Sequence, residues 1–466
     1  MKLSRRQWLS SGFVAGAGLS AKGWTSLVRG DSPASRIRVG VIGTGVRGKS
    51  LIGDLPASAQ VQAICDCATS RMAETLQPTG KFKTVLASFQ SERAADCSTH
   101  QDYRRMLDVA QLDAVIIATP DHHHVQAAML ALQAGLDVYL EKPLSVTIRE
   151  GRLLADAVQA TGRVLQVGSQ QRSMEMNRFA CEFIRDGGLG KVSHVDFPNF
   201  PGPMTAPSFD AQPIPNGLDW ELFLGPTAQR PHHRKLWVKD EFKVGDLMWR
   251  GWDLFRDYSG HLMTNWGAHN IDMVQYALGM DRSGPVRIEP IRNISEPALA
   301  SDWKTKWFRK TPYPSGRFAD DRRFMPVKVT YANGVTLRLL PGIKETTFYG
   351  ERGSMRISRN RFKCDPQGLV KNEPDPSAAT LWEGEGIVAR PHLQNWIDCI
   401  ASRQKPHASV EIGHRTVTVC HLVNIARELD RALQWDPDQE QFVDDREADS
   451  LLDRPRRERF ELPRIT

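Results

Sequence analysis

Two side chains of this sequence are suited to moving a proton to or from a hydroxyl group. Lys142 lies in Glu141-Lys142-Pro143, directly after a short apolar run, and His269 lies in a Gly-x-His-x-x-Asp pattern that ends at Asp272. A lysine held in a crevice can hydrogen-bond a reacting hydroxyl and stabilise the charge that develops on its oxygen. A histidine can take the hydroxyl proton because its pKa lies near neutrality. Taken alone, Lys142 would instead be read as a solvated charge at a strand end.

A glycine-rich turn follows the first β-like run of the chain. Residues 37–42 read Ile-Arg-Val-Gly-Val-Ile, and the next six read Gly-Thr-Gly-Val-Arg-Gly before a helical stretch from Lys49. Glycines at these spacings permit a tight turn, close approach of backbone N–H groups to a pyrophosphate, and close packing of helix on strand. This turn predicts a dinucleotide site with cofactor contacts from Gly43, Gly45, Val46, Arg47 and Gly48.

Asp66 ends a second predicted strand, Val61 to Cys65, eighteen residues beyond Gly48. A carboxylate at this position can accept hydrogen bonds from the ribose hydroxyls, and it would repel a 2′-phosphate. The sequence therefore predicts NAD as the cofactor rather than NADP. The bland alternative is a glycine-rich turn with an incidental aspartate at the next strand end.

Strands and helices alternate through the rest of this half. Strands are predicted at 112–118 and 137–140, and helices at 122–134 and 148–160. This alternation predicts a doubly wound parallel sheet with ligands at the carboxyl ends of its strands. Those ends carry four cofactor-binding candidates, Thr119, Pro120, Glu141 and Lys142, and one further polar residue, Asp121.

Three consecutive histidines, His122 to His124, invite a metal interpretation. Consecutive side chains on a helix point in different directions, so they cannot converge on one ion. We predict no metal site, and we expect His122 and His124 to line the cofactor crevice instead.

The pattern changes beyond about residue 188. Short β-like segments are predicted at 192–197, 286–289, 327–331, 335–340 and 345–349, with a hairpin turn at Ala332-Asn333-Gly334. They indicate a mainly antiparallel open sheet in an α+β domain. Residues 200–250 are rich in proline, glycine and aromatics, which is typical of a covering or functional loop. A helix is predicted from about Asn265 to Leu278, and helices in 392–435 are expected to return over the sheet and the dinucleotide domain.

These motifs, in this order, resemble the Gfo/Idh/MocA oxidoreductases over essentially the whole mature chain. The most specific pieces are Glu141-Lys142-Pro143 and the pattern formed by Gly267, His269 and Asp272. The resemblance implies an NAD-binding Rossmann domain at 34–165 and a substrate and oligomerisation domain at 166–435, with a tail at 436–466. It implies a homo-oligomer, a dimer or tetramer, and a small carbohydrate substrate. It also implies catalytic roles for Lys142, His269 and Asn265. Substrate contacts are implied for Gln170, Arg172, Trp266 and Asp272.

One position departs from the family pattern. Sugar dehydrogenases of this family commonly have aspartate four residues before the histidine, and this chain has Asn265. Asparagine can orient a hydroxyl, but it cannot accept a proton or carry charge. It is also a favoured helix N-cap, so a structural role is an equal alternative. The departure leaves His269 as the best candidate for the general base.

Composition limits the classes of partner and location. The net charge is +7 but the basic residues are scattered, which argues against nucleic acid binding, and no apolar run reaches the 18 residues of a membrane anchor. Seven cysteines form neither a disulfide framework nor a zinc spacing. Residues 1–33 combine Arg5-Arg6 with a short apolar centre and small residues. They resemble a twin-arginine signal, which implies export of the folded protein to the periplasm or the extracellular space.

Three functions stay open at this stage. The first is an NAD-dependent oxidoreductase that acts on a secondary hydroxyl of a sugar, sugar derivative or cyclitol. The second is a redox-neutral glycosidase or lyase that keeps its NAD bound, because an exported enzyme has no obvious pool of NAD outside the cell. The third is a non-catalytic binding protein that keeps the cofactor as structure. The presence of both Lys142 and His269 argues against the third.

Overall fold

The computed structural model describes residues 36–206, 208–237, 251–292, 321–375, 377 and 389–465. The proposed signal at 1–33 lies outside these residues, as does 238–250, the last part of the predicted covering loop.

The first sheet has six parallel strands within the described part of the chain. Their order is β3-β2-β1-β4-β5-β6. The strands are β1 Ile37–Ile42, β2 Ala59–Cys65, β3 Ser98–His100, β4 Ala114–Ile117, β5 Asp137–Leu140 and β6 Leu165–Val167.

Alternate residues of these strands enter two separate apolar cores. Val115 and Ile117 of β4 pack in one core, while Ala114 and Ile116 pack in the other. Successive side chains of a strand point to opposite faces, so both faces of this sheet are covered. The predicted doubly wound parallel sheet is confirmed.

The helices of this half follow the strands in turn. The last of these helices is capped at its C-terminus by Gly162, whose φ of +62 is the left-handed conformation that glycine adopts readily. They are α1 Val46–Gly53, α2 Thr69–Leu76, α3 Phe82–Val85, α4 Ala87–Glu92, α5 Tyr103–Val109, α6 His124–Gln133 and α7 Ile148–Thr161.

The second sheet has nine strands within the described residues. Their order is β13-β12-β11-β7-β10-β9-β8-β14-β15, and every pairing except the parallel β7–β10 pair is antiparallel. The mainly antiparallel sheet is therefore confirmed. The strands are β7 Val192–Pro198, β8 Pro285–Pro290, β9 Val327–Tyr331, β10 Thr336–Leu340, β11 Thr346–Gly350, β12 Gly353–Ser358, β13 Arg361–Asp365, β14 Leu433–Asp436 and β15 Gln441–Phe442.

The remaining helices cover this sheet and join it to the first. Most of their apolar residues share a core with β7 to β12, including Val195, Leu337 and Phe348. The short helix at 220–224 packs in a separate cluster with Phe255 and Tyr258. Leu393 and Trp396 pack instead on the first sheet, as predicted for the returning helices. These helices are α8 Glu175–Arg185, α9 Trp220–Leu224, α10 His261–Ala277, α11 Arg390–Ser402, α12 Val410–Leu429 and α13 Arg446–Asp449.

Three details differ from the sequence expectations. Strand β6 runs to Val167, past the expected domain boundary at 165. The segment expected to be helical up to 435 ends in strand β14. The tail folds onto its own chain, since Arg454 contacts the carbonyls of His122 and Asp257 and Arg457 contacts that of Gly225.

Candidate active site

The glycine-rich turn after β1 uses its three glycines for different reasons. Gly43 has φ +89, and a Cβ there would lie 2.6 Å from the Ala118 carbonyl oxygen. A Cβ on Gly48 would lie 2.0 Å from the Gly43 carbonyl oxygen. A Cβ on Gly45 would meet only the Arg71 guanidinium, at 3.7 Å. Gly43 and Gly48 thus allow the chain to pack, whereas Gly45 leaves space in front of the turn.

This space fits the pyrophosphate of a dinucleotide. Helix α1 begins at Val46 behind Gly45, which supplies no side-chain cap, so its N-terminus is suited to an anion. Val46 is 63% exposed. Across the turn, the buried Thr119 hydroxyl has no hydrogen-bond partner within the described residues. The residues that would hold NAD are therefore the predicted Gly45, Val46 and Arg47, with Thr119 and Pro120 at the end of β4.

Asp66 ends β2 beside this turn and is buried. Its carboxylate accepts hydrogen bonds from the backbone N–H of Thr44, at 2.9 Å, and of Ala68, at 3.0 Å. It therefore fixes the turn, and its position after β2 is the one from which a carboxylate would accept hydrogen bonds from a ribose and repel a 2′-phosphate. Its contact with a ribose stays a prediction.

Lys142 and Asn265 meet at the carboxyl end of β5. The Lys142 Nζ donates to Asn265 Oδ1 at 2.7 Å, although the two residues are 123 positions apart. Burial lowers the pKa of Lys142, while the charges of Glu141 and Asp121 act in the opposite direction. Asn265 lies inside helix α10, so the alternative of an N-cap role is wrong.

His269 lies one helical turn beyond Asn265 on α10 and is buried. Burial lowers its pKa well below 6.5, and the neighbouring Lys142 and Arg359 lower it further. Its Nδ1 has no hydrogen-bond partner within the described part of the chain. The ring is therefore neutral at physiological pH, and such a low pKa makes it a weaker base than its residue type suggests.

Glu141 supports this site from behind. Its Oε1 accepts from Arg47 Nε at 2.7 Å and from Gln170 Nε2 at 3.0 Å. The Gln170 amide also donates to the Tyr139 hydroxyl at 3.2 Å. The Gln170 amide nitrogen is thus occupied by buried protein groups, and the predicted role of Gln170 in substrate binding stays a prediction. Glu141 ties the glycine-rich turn to the strand that carries Lys142.

Arg172 and Asp272 form a buried ion pair. Arg172 Nε donates to both Asp272 oxygens, at 2.8 and 2.9 Å, and the side chains are 3% and 0% exposed. The rest of the guanidinium contacts Asp281, and Thr416 donates to Asp272 at 3.0 Å. Since these partners use both groups, their predicted role in substrate binding is corrected to a structural one.

The two histidines predicted in the cofactor crevice contact protein groups. His122 Nε2 lies 2.8 Å from the Phe223 carbonyl oxygen, and its ring packs edge-on against Phe223 and Tyr258. The His124 ring lies between the carbonyls of Thr119, at 3.0 Å, and Pro143, at 2.6 Å. Both rings fix backbone around the crevice, while His122 Nδ1 has no hydrogen-bond partner within the described residues. A contact of either histidine with the cofactor stays a prediction.

Trp266 is the predicted substrate residue that faces outward. It is 39% exposed on α10, next to Asn265, and the Arg359 guanidinium lies 5.4 Å from its ring centre. An exposed aromatic face suits the apolar C–H face of a sugar ring, as expected from the sequence. Its contact with a substrate stays a prediction.

A cluster of buried polar residues near Lys142 was not predicted from the sequence. The Ser259 hydroxyl lies 2.8 Å from Asp121 Oδ2 and 3.3 Å from Asp253 Oδ1, and His261 Nδ1 lies 3.0 Å from Asp253 Oδ2. Asp121 was visible as a polar strand-end residue. Asp253, Ser259 and His261 belong to no chemical motif, so no local signal identified them.

The described residues contain neither a candidate metal site nor a candidate membrane-spanning helix. No three His, Cys, Asp or Glu side chains in this part of the chain are grouped so that they could hold a metal ion. Nor is any helix in the described ranges long and apolar enough to cross a membrane.

Comparison with known families places this fold and site among the NAD-binding oxidoreductases. Residues 37–169 match the model of the oxidoreductase family's NAD-binding Rossmann fold. Residues 204–313 and 326–462 match the model of that family's C-terminal alpha/beta domain. The chain belongs to the Gfo/Idh/MocA oxidoreductase family.

Individual relatives are more distant. The chain is similar to a glycosyl hydrolase family 109 protein of Solibacter usitatus, with 33% identity over 172 residues, which are 35% of this chain and 38% of that protein. It is 33% identical over 141 residues to inositol 2-dehydrogenase 1 of Saccharopolyspora erythraea, covering 29% and 37% of the two chains. The chain thus spans well under half the length of these curated relatives.

A solved structure extends the likeness of fold. The scyllo-inositol dehydrogenase of Lactobacillus casei, with bound NAD(H) and scyllo-inositol, superposes with a TM-score of 0.52 at 15% identity. The match covers 86% of this chain and 99% of that chain.

Proposed function

We propose that this protein is an NAD-dependent oxidoreductase acting on a secondary hydroxyl of a sugar, sugar derivative or cyclitol. The observation that carries the proposal is the hydrogen bond between Lys142 and Asn265, formed at the carboxyl end of β5 beside the glycine-rich turn. Ligands of doubly wound sheets bind at these strand ends. The inositol dehydrogenases among the relatives support the substrate class.

The chain's own residues supply binding and proton chemistry. Bound NAD would supply the hydride acceptor. Lys142 would donate a hydrogen bond to the hydroxyl oxygen or, as a neutral amine, take its proton, and burial favours that neutral form because it lowers the pKa of Lys142. Asn265 orients Lys142 and cannot take a proton itself. Trp266 offers an exposed apolar face to a sugar ring.

A second candidate is redox-neutral cleavage of a glycoside by an enzyme that retains its NAD. Part of the covering loop lies across the carboxyl ends of the first sheet: Thr69 N donates to the Gly217 carbonyl at 2.9 Å, and Asp219 N donates to that of Cys67 at 2.9 Å. The tail residue Arg457 holds the same loop through Gly225 and Glu221. Such a cover favours slow cofactor exchange, and one relative carries a glycosyl hydrolase name.

One assay separates the two candidates. The mature protein is purified, its bound cofactor is measured, and it is incubated with added NAD and a panel of hexoses, inositols and aryl glycosides. We expect reduced nicotinamide to accumulate with at least one polyol or sugar. Release of the aglycone without net reduction would support the redox-neutral candidate instead. Bound cofactor with neither product would indicate a non-catalytic binding protein and contradict both.

We also propose that residues 1–33 direct export by the twin-arginine route. The proposal rests on Arg5-Arg6 and the apolar stretch that follows. Replacement of both arginines by lysine should shift the protein from the periplasmic to the cytoplasmic fraction of an expressing cell with this pathway. An unchanged distribution would contradict the proposal.

A further inference from the structure

A chain of buried hydrogen-bonding groups lies close to the loop that carries Lys142. Asp121, Ser259, Asp253 and His261 are all at most 6% exposed. Ser259 bridges the two carboxylates, its Oγ also accepts from the His261 backbone N–H at 3.0 Å, and His261 Nδ1 contacts Asp253. The Nε2 of His261 is buried without a hydrogen-bond partner within the described residues.

This chain of groups reaches the same edge of the sheet as Lys142. Strands β4 and β5 are neighbours with Ile117 paired to Leu140, so the residues that follow them leave the sheet side by side. His124 lies between the carbonyls of Thr119 and Pro143, and so holds the two loops together. Asp121 follows the first loop and Lys142 lies in the second.

Ser259 can donate a hydrogen bond to only one of the two carboxyl groups at a time. Ser259 has a single hydroxyl hydrogen, yet its oxygen lies within hydrogen-bond distance of both Asp121 and Asp253. If Asp121 carries a proton, it can donate to Ser259, which then donates to Asp253; if Asp121 is ionised, Ser259 donates to Asp121 instead. Burial and the charge of Asp253 raise the pKa of Asp121 to about 8, which is consistent with the first of these arrangements.

The backbone conformation of His261 indicates that this arrangement has a functional role. His261 has φ +55, a left-handed conformation that is uncommon for a residue with a side chain, and it is the first residue of α10. Strained backbone of this kind clusters at functional sites. The strain holds the His261 ring against Asp253 at the start of the helix that also carries Asn265.

We propose that Asp121, linked through Ser259 to Asp253, receives the proton that Lys142 takes from the substrate hydroxyl, a task that its direct partner Asn265 cannot perform. The proposal rests on the proposed oxidoreductase function. One proton leaves the hydroxyl oxygen for the neutral amine of Lys142. Because Lys142 Nζ is hydrogen-bonded to Asn265 in this structure, Lys142 must turn towards Asp121 to pass one proton to the ionised Asp121 carboxylate, after which Lys142 is neutral again. Asp121 acts through Lys142 and does not touch the substrate.

The other charged groups around Asp121 are accounted for. Lys142 faces it from the loop after β5, and Asp253 and His261 approach from the segment before α10 and its first residue. The tail residue Arg454 donates to the carbonyls of His122 and Asp257, which flank Asp121 and Ser259, and to the Glu150 carboxylate. Among the described residues, Lys142 is the cation whose charge lowers the pKa of the Asp121 carboxyl.

The first test compares Asp121→Asn with the wild type on a substrate that the wild type oxidises. Asparagine keeps the size of the side chain and still accepts from Ser259, but it cannot hold the proton. We expect kcat to fall roughly 10²-fold with KM within about 2-fold, as for loss of a proton acceptor. In the wild type, kcat/KM should rise with pH through a pKa of about 8, and Asp121→Asn should lose this rise. Equal kcat and an unchanged pH profile would overturn the proposal.

Three variants accompany this test. Asp113→Asn alters a carboxylate at the opposite end of β4, which pairs with Arg38, and should leave kcat and the pH profile unchanged. Asp121→Glu should recover part of the rate. Ser259→Ala keeps both carboxylates but cuts their link, and it should move the pH limb by about one unit. If kcat/KM of Ser259→Ala rises with pH through the same pKa as in the wild type, the proposed link from Asp121 to Asp253 is refuted.

A second measurement does not depend on activity. Infrared difference spectra of the NAD-loaded protein between pH 6 and pH 9 should show loss of a protonated carboxyl band that Asp121→Asn lacks. If no substrate is oxidised but this band is present, the proposed function fails while the proton-holding group stands. If a substrate is oxidised and the band is identical in Asp121→Asn, the proton-holding group is refuted while the function stands.

Discussion

Replacement of Lys142 by alanine should lower kcat for the oxidised substrate by roughly 10²- to 10⁴-fold. The Lys142 ammonium or amine is the group that Asn265 aims, and Asn265 can neither give nor take a proton in its place. Cofactor affinity should change little, because the glycine-rich turn is held by Asp66 and Glu141 rather than by Lys142. The measurements are steady-state kinetics and NAD binding by fluorescence.

Two further variants define what Lys142 contributes. Lys142→Arg keeps the positive charge but replaces a compact donor that titrates with a planar one that does not, so it should not restore the rate. Lys191→Ala removes an exposed lysine next to β7 and should leave kcat unchanged. Activity within about 10-fold of wild type in Lys142→Ala would mean that the reacting hydroxyl lies elsewhere.

The fold was predictable where the pattern of a segment determines its environment. Strand β1 was predicted with its observed bounds, since a β-branched run that leads into three spaced glycines fits few other structures. The hairpin between β9 and β10 was predicted from Asn333 and Gly334, and Gly334 has φ +85. Strands β12 and β13 were missed, although Phe362 and Cys364 alternate with charged residues along β13 as expected of a half-buried strand.

The roles of polar residues were predicted less well, because they depend on partners distant in the sequence. Arg172 and Asp272 lie in motif-like segments, yet their side chains form an ion pair with each other although they are 100 positions apart. Gln170 is buried against Glu141 in the same way. A polar residue in a motif is free to bind a ligand only if the fold leaves it without an internal partner, and the local sequence does not determine this.

Asn265 shows the same limit for secondary structure. An asparagine before an amphipathic run predicts an N-cap, but α10 begins four residues earlier at His261. The earlier start places Asn265 in the second turn, from which its amide reaches Lys142. The signal was hidden because His261 begins the helix with a positive φ, a conformation that histidine seldom adopts.

The ion pair between Arg172 and Asp272 gives the largest expected effect on stability. Arg172→Met keeps the apolar stem and leaves Asp272 buried without its guanidinium, so we expect a loss of roughly 3–5 kcal/mol in the free energy of unfolding. Denaturant unfolding followed by circular dichroism measures the loss. Arg185→Met is a matched control, because both guanidinium groups lie over the Tyr276 ring, at 4.7 and 5.6 Å, but the Arg185–Asp186 pair is exposed. The control should lose less than about 1 kcal/mol.

The pH dependence separates an uncompensated charge from lost packing. Burial raises the pKa of Asp272 to about 6 in the wild type, with Arg172 opposing the rise. Loss of Arg172 raises this pKa further. Near pH 5 the Asp272 carboxyl is largely protonated in both folded proteins. At pH 8 the wild type buries the carboxylate beside Arg172, whereas the variant must either bury it without a cation or keep it protonated well above the pKa of the unfolded chain. The difference in unfolding free energy should therefore grow as the pH rises from 5 to 8. A difference that is the same at both pH values would assign the loss to packing of the Arg172 stem.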